Sequence, residues 1–206
     1  MILHGYWRSG AAYRVRIGLN LKGLTYEQSP VELRTGEQKS DGFLALNPQG
    51  LVPALEADGQ VLTQSLAILE WLEERHPDPA LLPGPSADRA VVRAMAAIVA
   101  CDIHPLNNLR VLKAVGALGA VQNDWAAQWI APGFDALEAL IARHGRGWSF
   151  GDQPTLADCL LVPQVFSARR FEIDVSAWPR IAAIDGLAAD HPAFKAAHPA
   201  SQPDAD

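Results

Sequence analysis

The sequence predicts a chain of two unlike parts, an α/β unit followed by an all-α unit. Three observations carry that prediction. Short strand-like runs alternate with helical ones as far as His76. A proline-rich stretch without periodicity then runs from Pro77 to Pro85, and such punctuation marks a linker. Beyond it the apolar spacing is helical almost throughout, Ala and Leu dominate, and strand-like alternation is absent, which is the pattern of a helical bundle. The expected division is therefore 1–80 and 86–206.

Ile2 to Tyr6 is a short apolar run, and the Ser9-Gly10 break opens a helically spaced segment that stops at Gly23, a residue suited to a C-cap. Tyr26 to Leu33 reads as the next strand and begins a βαβ unit. After the polar stretch Arg34 to Asp41, Val52-Pro-Ala-Leu-Glu and Val61-Leu-Thr flank Asp58-Gly59, a hairpin signal. Pro53 has no N–H for a ladder, so it marks an edge position or a special geometry such as a cis peptide. Ser65 is a favoured N-cap ahead of Leu66, Ile68, Leu69, Trp71 and Leu72, a helix expected to end near His76-Pro77. The second part offers Asp88 to about His104, Asn123 to about His144, Thr155 to Arg170, and Trp178 to about Ala189. Thr155-Leu-Ala-Asp158 has the form of a capping box, with Asp in place of Glu or Gln. The tail Ser201 to Asp206 is expected to fray.

Composition narrows the function. With 206 residues, 49% hydrophobic and 19% charged, the chain can bury a core and is neither disordered nor fibrous. A net charge of −6 supplies no positive field for nucleic acid or an anionic membrane, so an anionic substrate must be met by locally placed Arg. The N-terminus has no basic flank or apolar stretch of a secretory signal, and no run approaches a membrane span, which predicts a cytoplasmic protein. Cys101 and Cys159 sit in apolar, helix-like stretches without metal-ligand or CxxC spacing, so both are expected to be inert core residues, and no metal is expected.

The chemistry concentrates at Ser9, where the first strand meets the first helix. Free N–H groups and the helix dipole there favour an anion, and the hydroxyl adds a donor. A thiol held at such a positive end ionises below its usual pKa of about 8.5. The turn itself contains no cysteine.

Five segments carry a family resemblance: Tyr6-Trp-Arg-Ser-Gly-Ala-Ala-Tyr-Arg-Val-Arg-Ile-Gly-Leu, Ala45-Leu-Asn-Pro-Gln-Gly-Leu-Val-Pro-Ala-Leu, Gln64-Ser-Leu-Ala-Ile-Leu-Glu-Trp-Leu-Glu-Glu, Cys101-Asp-Ile-His-Pro-Leu-Asn-Asn-Leu-Arg, and Gly151-Asp-Gln-Pro-Thr-Leu-Ala-Asp-Cys. In this order, over nearly the whole chain, they resemble the zeta class of glutathione transferases, with the stretch from Asp102 to Arg110 nearest the maleylpyruvate branch. The resemblance implies a thioredoxin-like domain (βαβαββα) followed by a C-terminal helical bundle, a homodimer, and glutathione as the source of the sulfur. It implies that Ser9 steadies the thiolate. Val52, before a cis Pro53, would meet the cysteinyl backbone as an added strand does. Gln64 and Ser65 would hold the γ-glutamyl carboxylate, Gln49 the glycyl end and Asp102 the γ-glutamyl ammonium. Arg8 and Arg110 would grip a dicarboxylate with their planar donors. His104 and Asn108 join the cofactor set, His104 the substrate set as well, and, read as one helix, both share a face with Arg110. Arg169-Arg170 offers a further carboxylate partner, while Arg14 and Arg16 read as structural or surface charges.

One departure stands out. Gly10 and Ala11 occupy places where many relatives have Ser and Cys, or Gly and Thr, so Ser9 is the only hydroxyl at this turn. The reaction implied is glutathione-dependent cis-trans isomerisation of a maleyl diketo-acid in aromatic-compound degradation. The alternatives are a general transferase conjugating small electrophiles such as haloacids, and a non-catalytic binding protein on the same fold.

Overall fold

The structure, a computed structural model, describes residues 1–206. Two compact units are present, Met1–Ala80 together with Asp190–Asp206, and Leu81–Ala189.

The first unit begins with β1 (Ile2–Gly5), α1 (Gly10–Leu21), β2 (Glu27–Pro30), α2 (Asp41–Leu46), β3 (Ala54–Ala57), β4 (Gln60–Thr63) and α3 (Ser65–Arg75). The sheet order is β2-β1-β3-β4, parallel between β1 and β2 and antiparallel elsewhere. This is the βαβαββα layout the sequence implied. Ser9 caps α1 in an extended conformation (φ −68°, ψ 118°) and accepts from the Ala12 N–H at 3.3 Å. Gly23 follows the helix at φ 66°, a conformation cheap only for glycine. Every residue from Ala12 to Leu19 is buried, so α1 is the central helix of the unit. Gly18 lets α3 approach it: a Cβ there would lie 2.2 Å from Leu69 Cδ2. The hairpin places Asp58 and Gly59 both at positive φ (51° and 74°), the requirement of a type I′ turn. The Val52-Pro53 peptide is cis, whereas the alternative of an edge position is overturned, because β3 lies between β1 and β4 and its ladder begins one residue later, at Ala54. Lys22, at the end of α1, is buried and donates to Glu73 Oε2 (2.6 Å) and the Pro79 carbonyl (2.7 Å).

The second unit is helical: α4 (Ser86–Ala97), α5 (Leu109–Ala117), α6 (Gln122–His144), α7 (Leu156–Arg170) and α8 (Pro179–Asp190). Ten consecutive residues of α7, Leu156 to Val165, are buried, and α4 packs along it. The capping box is present: Asp158 accepts from the Thr155 N–H, the Thr155 hydroxyl and the Ser149 N–H at 2.7, 3.0 and 2.9 Å.

Several expectations are corrected here. The single helix from Asp88 to His104 is instead α4, a wider π turn over Ile98–Ile103 and a 3-10 turn over His104–Asn107; Gly133 of α6 lies so close that a Cβ would meet Ile103 Cδ1 at 2.3 Å. The composite stretch Ser86–Asn107, with mean hydropathy 1.2, is long and apolar enough to cross a membrane by length and composition alone, so the expectation of no such run was too strict; it packs against α7 and α6, with Val92, Met95, Ala96, Val99 and Ile103 buried. Helix α5 was not anticipated, being a short segment between Pro105 and Gly119. Cys159 is buried, but Cys101 is exposed, because the π turn carries it out of the core face.

The chain end is the largest revision. A final helix, α9 (Pro192–Ala197), and a 3-10 turn at Pro199–Ser201 belong to the first unit, where α9 packs on α1. The tail does not fray: Asn20 Nδ2 donates to the Ala193 carbonyl (2.9 Å), Gln28 Nε2 to Gln202 Oε1 (2.9 Å), and Gln202 is buried.

Candidate functional site

Ser9 occupies the turn between β1 and α1. Its N–H donates to the Tyr6 carbonyl (2.9 Å) and its carbonyl accepts from Tyr13 N–H (2.9 Å), so the backbone position is fixed from both sides. The side-chain oxygen is a helix cap, which leaves the hydroxyl proton for a second partner. Capping and donation are therefore compatible at this residue. Arg8, beside it, stacks its guanidinium over the Trp7 ring at 5.4 Å.

A second cluster surrounds the start of α3. Gln64 sits at φ 67°, a strained conformation for a non-glycine residue and of the kind concentrated at binding sites. Its Nε2 donates to Gln49 Oε1 at 2.7 Å, so the two glutamines the sequence singled out are joined directly. Gln49 in turn accepts from Lys39 Nζ at its carbonyl (3.1 Å). Ser65 is not the N-cap expected of it: the cap is Gln64, without a side-chain bond to the helix, and Ser65 is the first residue of α3, buried, with its hydroxyl accepting from Arg14 Nη1 at 3.2 Å. Val52 lies outside the β3–β4 ladder, which begins at Ala54.

The remaining candidates belong to the second unit and are less concentrated than the sequence suggested. Asn108 is extended (φ −74°, ψ 161°) and caps α5, accepting from Val111 N–H while donating to the Pro105 carbonyl. His104 ends the π turn, and Arg110 is exposed on α5. The shared helical face proposed for these three does not exist, because the chain changes direction at Asn108. Asp102 is exposed on the π turn. Arg169 forms an ion pair with Asp185 of α8 at 2.7 Å and is thereby committed to the helix packing of its own unit, while Arg170 lies over the Phe171 ring.

Of the two readings of Arg14 and Arg16, the structural one holds and the surface one does not. Arg14 and Arg16 are 3% and 1% exposed, so neither is a surface charge. Arg14 holds Ser65, and Arg16 donates to the Trp7 carbonyl and the Ala197 carbonyl, each at 2.9 Å. Burial lowers the Arg16 pKa to about 10, against the opposing influence of Tyr26, Tyr13 and Asp204. Two arginines within an otherwise apolar helical run were the available signal, since a buried guanidinium requires fixed acceptors.

Residues 8–75 match the family model of the glutathione S-transferase N-terminal domain, and residues 120–197 that of the C-terminal domain. The chain is 56% identical to a maleylpyruvate isomerase from a Ralstonia species, over 99% of both chains. It is 51% identical to a maleylacetoacetate isomerase from Pseudomonas aeruginosa, over 99% of this chain and 98% of the other. The chain belongs to the glutathione S-transferase family. Among solved structures, this transferase resembles the holo form of a maleyl pyruvate isomerase described as a bacterial zeta-class member, with TM-score 0.97, 53% identity and full coverage of both chains. It also resembles a maleylacetoacetate isomerase from Anaeromyxobacter dehalogenans with glutathione bound in the active site, at TM-score 0.91 and 47% identity, covering 100% of this chain and 97% of the other.

The donor set of the transferase's first unit fits glutathione, a tripeptide with two carboxylates and a thiol. The starts of α1 and α3 each offer backbone N–H groups and a serine hydroxyl suited to an anion. Val52 offers a backbone edge for extended peptide, and Lys39 and Gln49 add charge and hydrogen bonding.

Proposed function

We propose that this transferase is a glutathione-dependent cis-trans isomerase that converts a maleyl diketo-acid, maleylacetoacetate or maleylpyruvate, to its fumaryl isomer in aromatic-compound degradation. The observation that carries the reading is the end-to-end similarity to isomerases named for these two substrates. The local chemistry supports it: both cysteines, Cys101 and Cys159, lie in the second unit, so the turn at Ser9 has no thiol of its own.

When bound, glutathione supplies the nucleophilic sulfur that makes the cis double bond free to rotate. The chain's own residues do the rest. Ser9 donates its hydroxyl proton toward the sulfur and, with the first N–H groups of α1, keeps it ionised. Ser65 and the start of α3 hold the γ-glutamyl carboxylate, Gln64 and Gln49 orient the peptide, and Val52 pairs with its backbone. Arg8 and Arg110 take the carboxylates of the diacid and stabilise charge that develops beside the acyl carbonyl, a contribution of about 3 to 4 kcal/mol per donor in comparable sites. The working form is a cytoplasmic homodimer in which Asp102 meets the γ-glutamyl ammonium.

The test follows the ultraviolet absorbance of maleylpyruvate, then maleylacetoacetate, with and without glutathione. Turnover that requires glutathione and returns it unconsumed supports the isomerase; a stable conjugate identifies a general transferase; the same rate without glutathione overturns the reading.

A further inference from the structure

We infer that the chain terminus is a positioning strap for the Ser9 turn, acting through Asp204. The inference rests on the function proposed above, since it concerns the same turn. Trp7, two residues before Ser9, is held at both polar backbone groups. Its N–H donates to Asp204 Oδ2 at 2.9 Å, and its carbonyl accepts from Arg16 Nη2 at 2.9 Å. Arg16 is buried inside α1 and also donates to the Ala197 carbonyl of α9 through Nε at 2.9 Å. The peptide leading into Arg8 and Ser9 is thus clamped between the core of α1 and the last residues of the chain.

The strap is anchored independently of that contact. Gln202 is 6% exposed, accepts from Gln28, and donates to the Ala196 and His198 carbonyls at 3.0 and 2.7 Å. Beyond Asp204 the Arg34–Asp206 pair is exposed and adds little, as surface pairs do, so the base of the strap is Gln202. Asp204 therefore reaches Trp7 from a fixed base, and a charged acceptor on a backbone N–H makes one of the stronger hydrogen bonds available. The geometry gives this acidic tail a role in catalysis although neither Asp204 nor Arg16 is placed to do chemistry.

The experiment compares Asp204→Ala, Asp204→Asn and Asp206→Ala in the full chain. Amide hydrogen exchange at Trp7 and Ser9 is read without glutathione, and the bound thiol pKa and kcat with it. Asp204→Ala is expected to speed exchange at these amides about tenfold, in line with the loss of one charged hydrogen bond. It should raise the bound thiol pKa and lower kcat about tenfold, with KM for the diacid changed less than about twofold. Asp204→Asn keeps an acceptor for the Trp7 N–H and should restore most of each effect, and Asp206→Ala should leave all of them near wild type. Unchanged exchange and thiol pKa in Asp204→Ala, or equal impairment in Asp204→Asn, overturns the strap. Because exchange is measured without substrate, an inactive wild-type protein would sink the isomerase reading while leaving this contact separately testable.

Discussion

Ser9 shows how one side chain serves folding and chemistry together. Its oxygen caps α1 and its proton remains to donate. Ser9→Ala is expected to lower kcat/KM about 100-fold, the usual effect of removing one such donor, while costing only about 1 kcal/mol of stability through the lost cap; steady-state kinetics beside urea unfolding separate the two. Arg110 is exposed and free of any capping duty, unlike Asn108 before it. Arg110→Ala should raise KM or lower kcat for the diacid at least tenfold and leave glutathione affinity, read by calorimetry, within about twofold. The Lys22–Glu73 pair is a different case, since both side chains are nearly inaccessible. Lys22→Met leaves a carboxylate buried without its cation and should destabilise the chain by about 3 to 5 kcal/mol, whereas Lys22→Met with Glu73→Leu should recover much of that loss in denaturant melts.

At the scale of elements, the start of α7 depends on Asp158. Burial pushes its carboxyl above the usual range, against the hydrogen bonds donated by Ser149 and Thr155. The folded state therefore holds a proton at pH values where the unfolded chain has released it, and this group's contribution weakens as pH rises. Asp158→Asn should destabilise the protein by about 1 to 3 kcal/mol, because one oxygen acceptor becomes a donor facing N–H groups. The wild-type advantage in urea unfolding should be greatest near pH 4, about the unfolded carboxylate value, and shrink as pH rises until the folded carboxyl has ionised. Most element identities were legible from local signals: the capping box, Asp58-Gly59 and Gly23 each act within a few residues. The break after Ala97 was not, because an apolar Ala-rich run lacks the polar spacing that would tell an α turn from a wider π turn. That break is also why a shared face for His104, Asn108 and Arg110 failed.

For the whole molecule, the ligand that fits the first unit should also hold it folded. Glutathione at about 100 times its dissociation constant is expected to add about 2.7 kcal/mol to stability, seen as a raised thermal midpoint that Ser65→Ala diminishes. The amino-acid sequence by itself determined the two-part architecture and pointed to glutathione as the source of the sulfur, and it proposed Ser9, Gln49, Val52, Gln64 and Ser65 as the residues that meet it, because each of these rests on local backbone chemistry or on a motif contiguous in the chain. Tertiary structure alone decided where the terminal residues go, that Arg14 and Arg16 are buried, and that Arg169 is taken by Asp185. Those outcomes depend on partners up to 197 residues away along the chain, and no spacing rule within a helix or strand reaches that far. A buried guanidinium looks like a surface charge until the carbonyls that receive it are in place, and a polar tail looks free until a helix from the other end of the chain binds it.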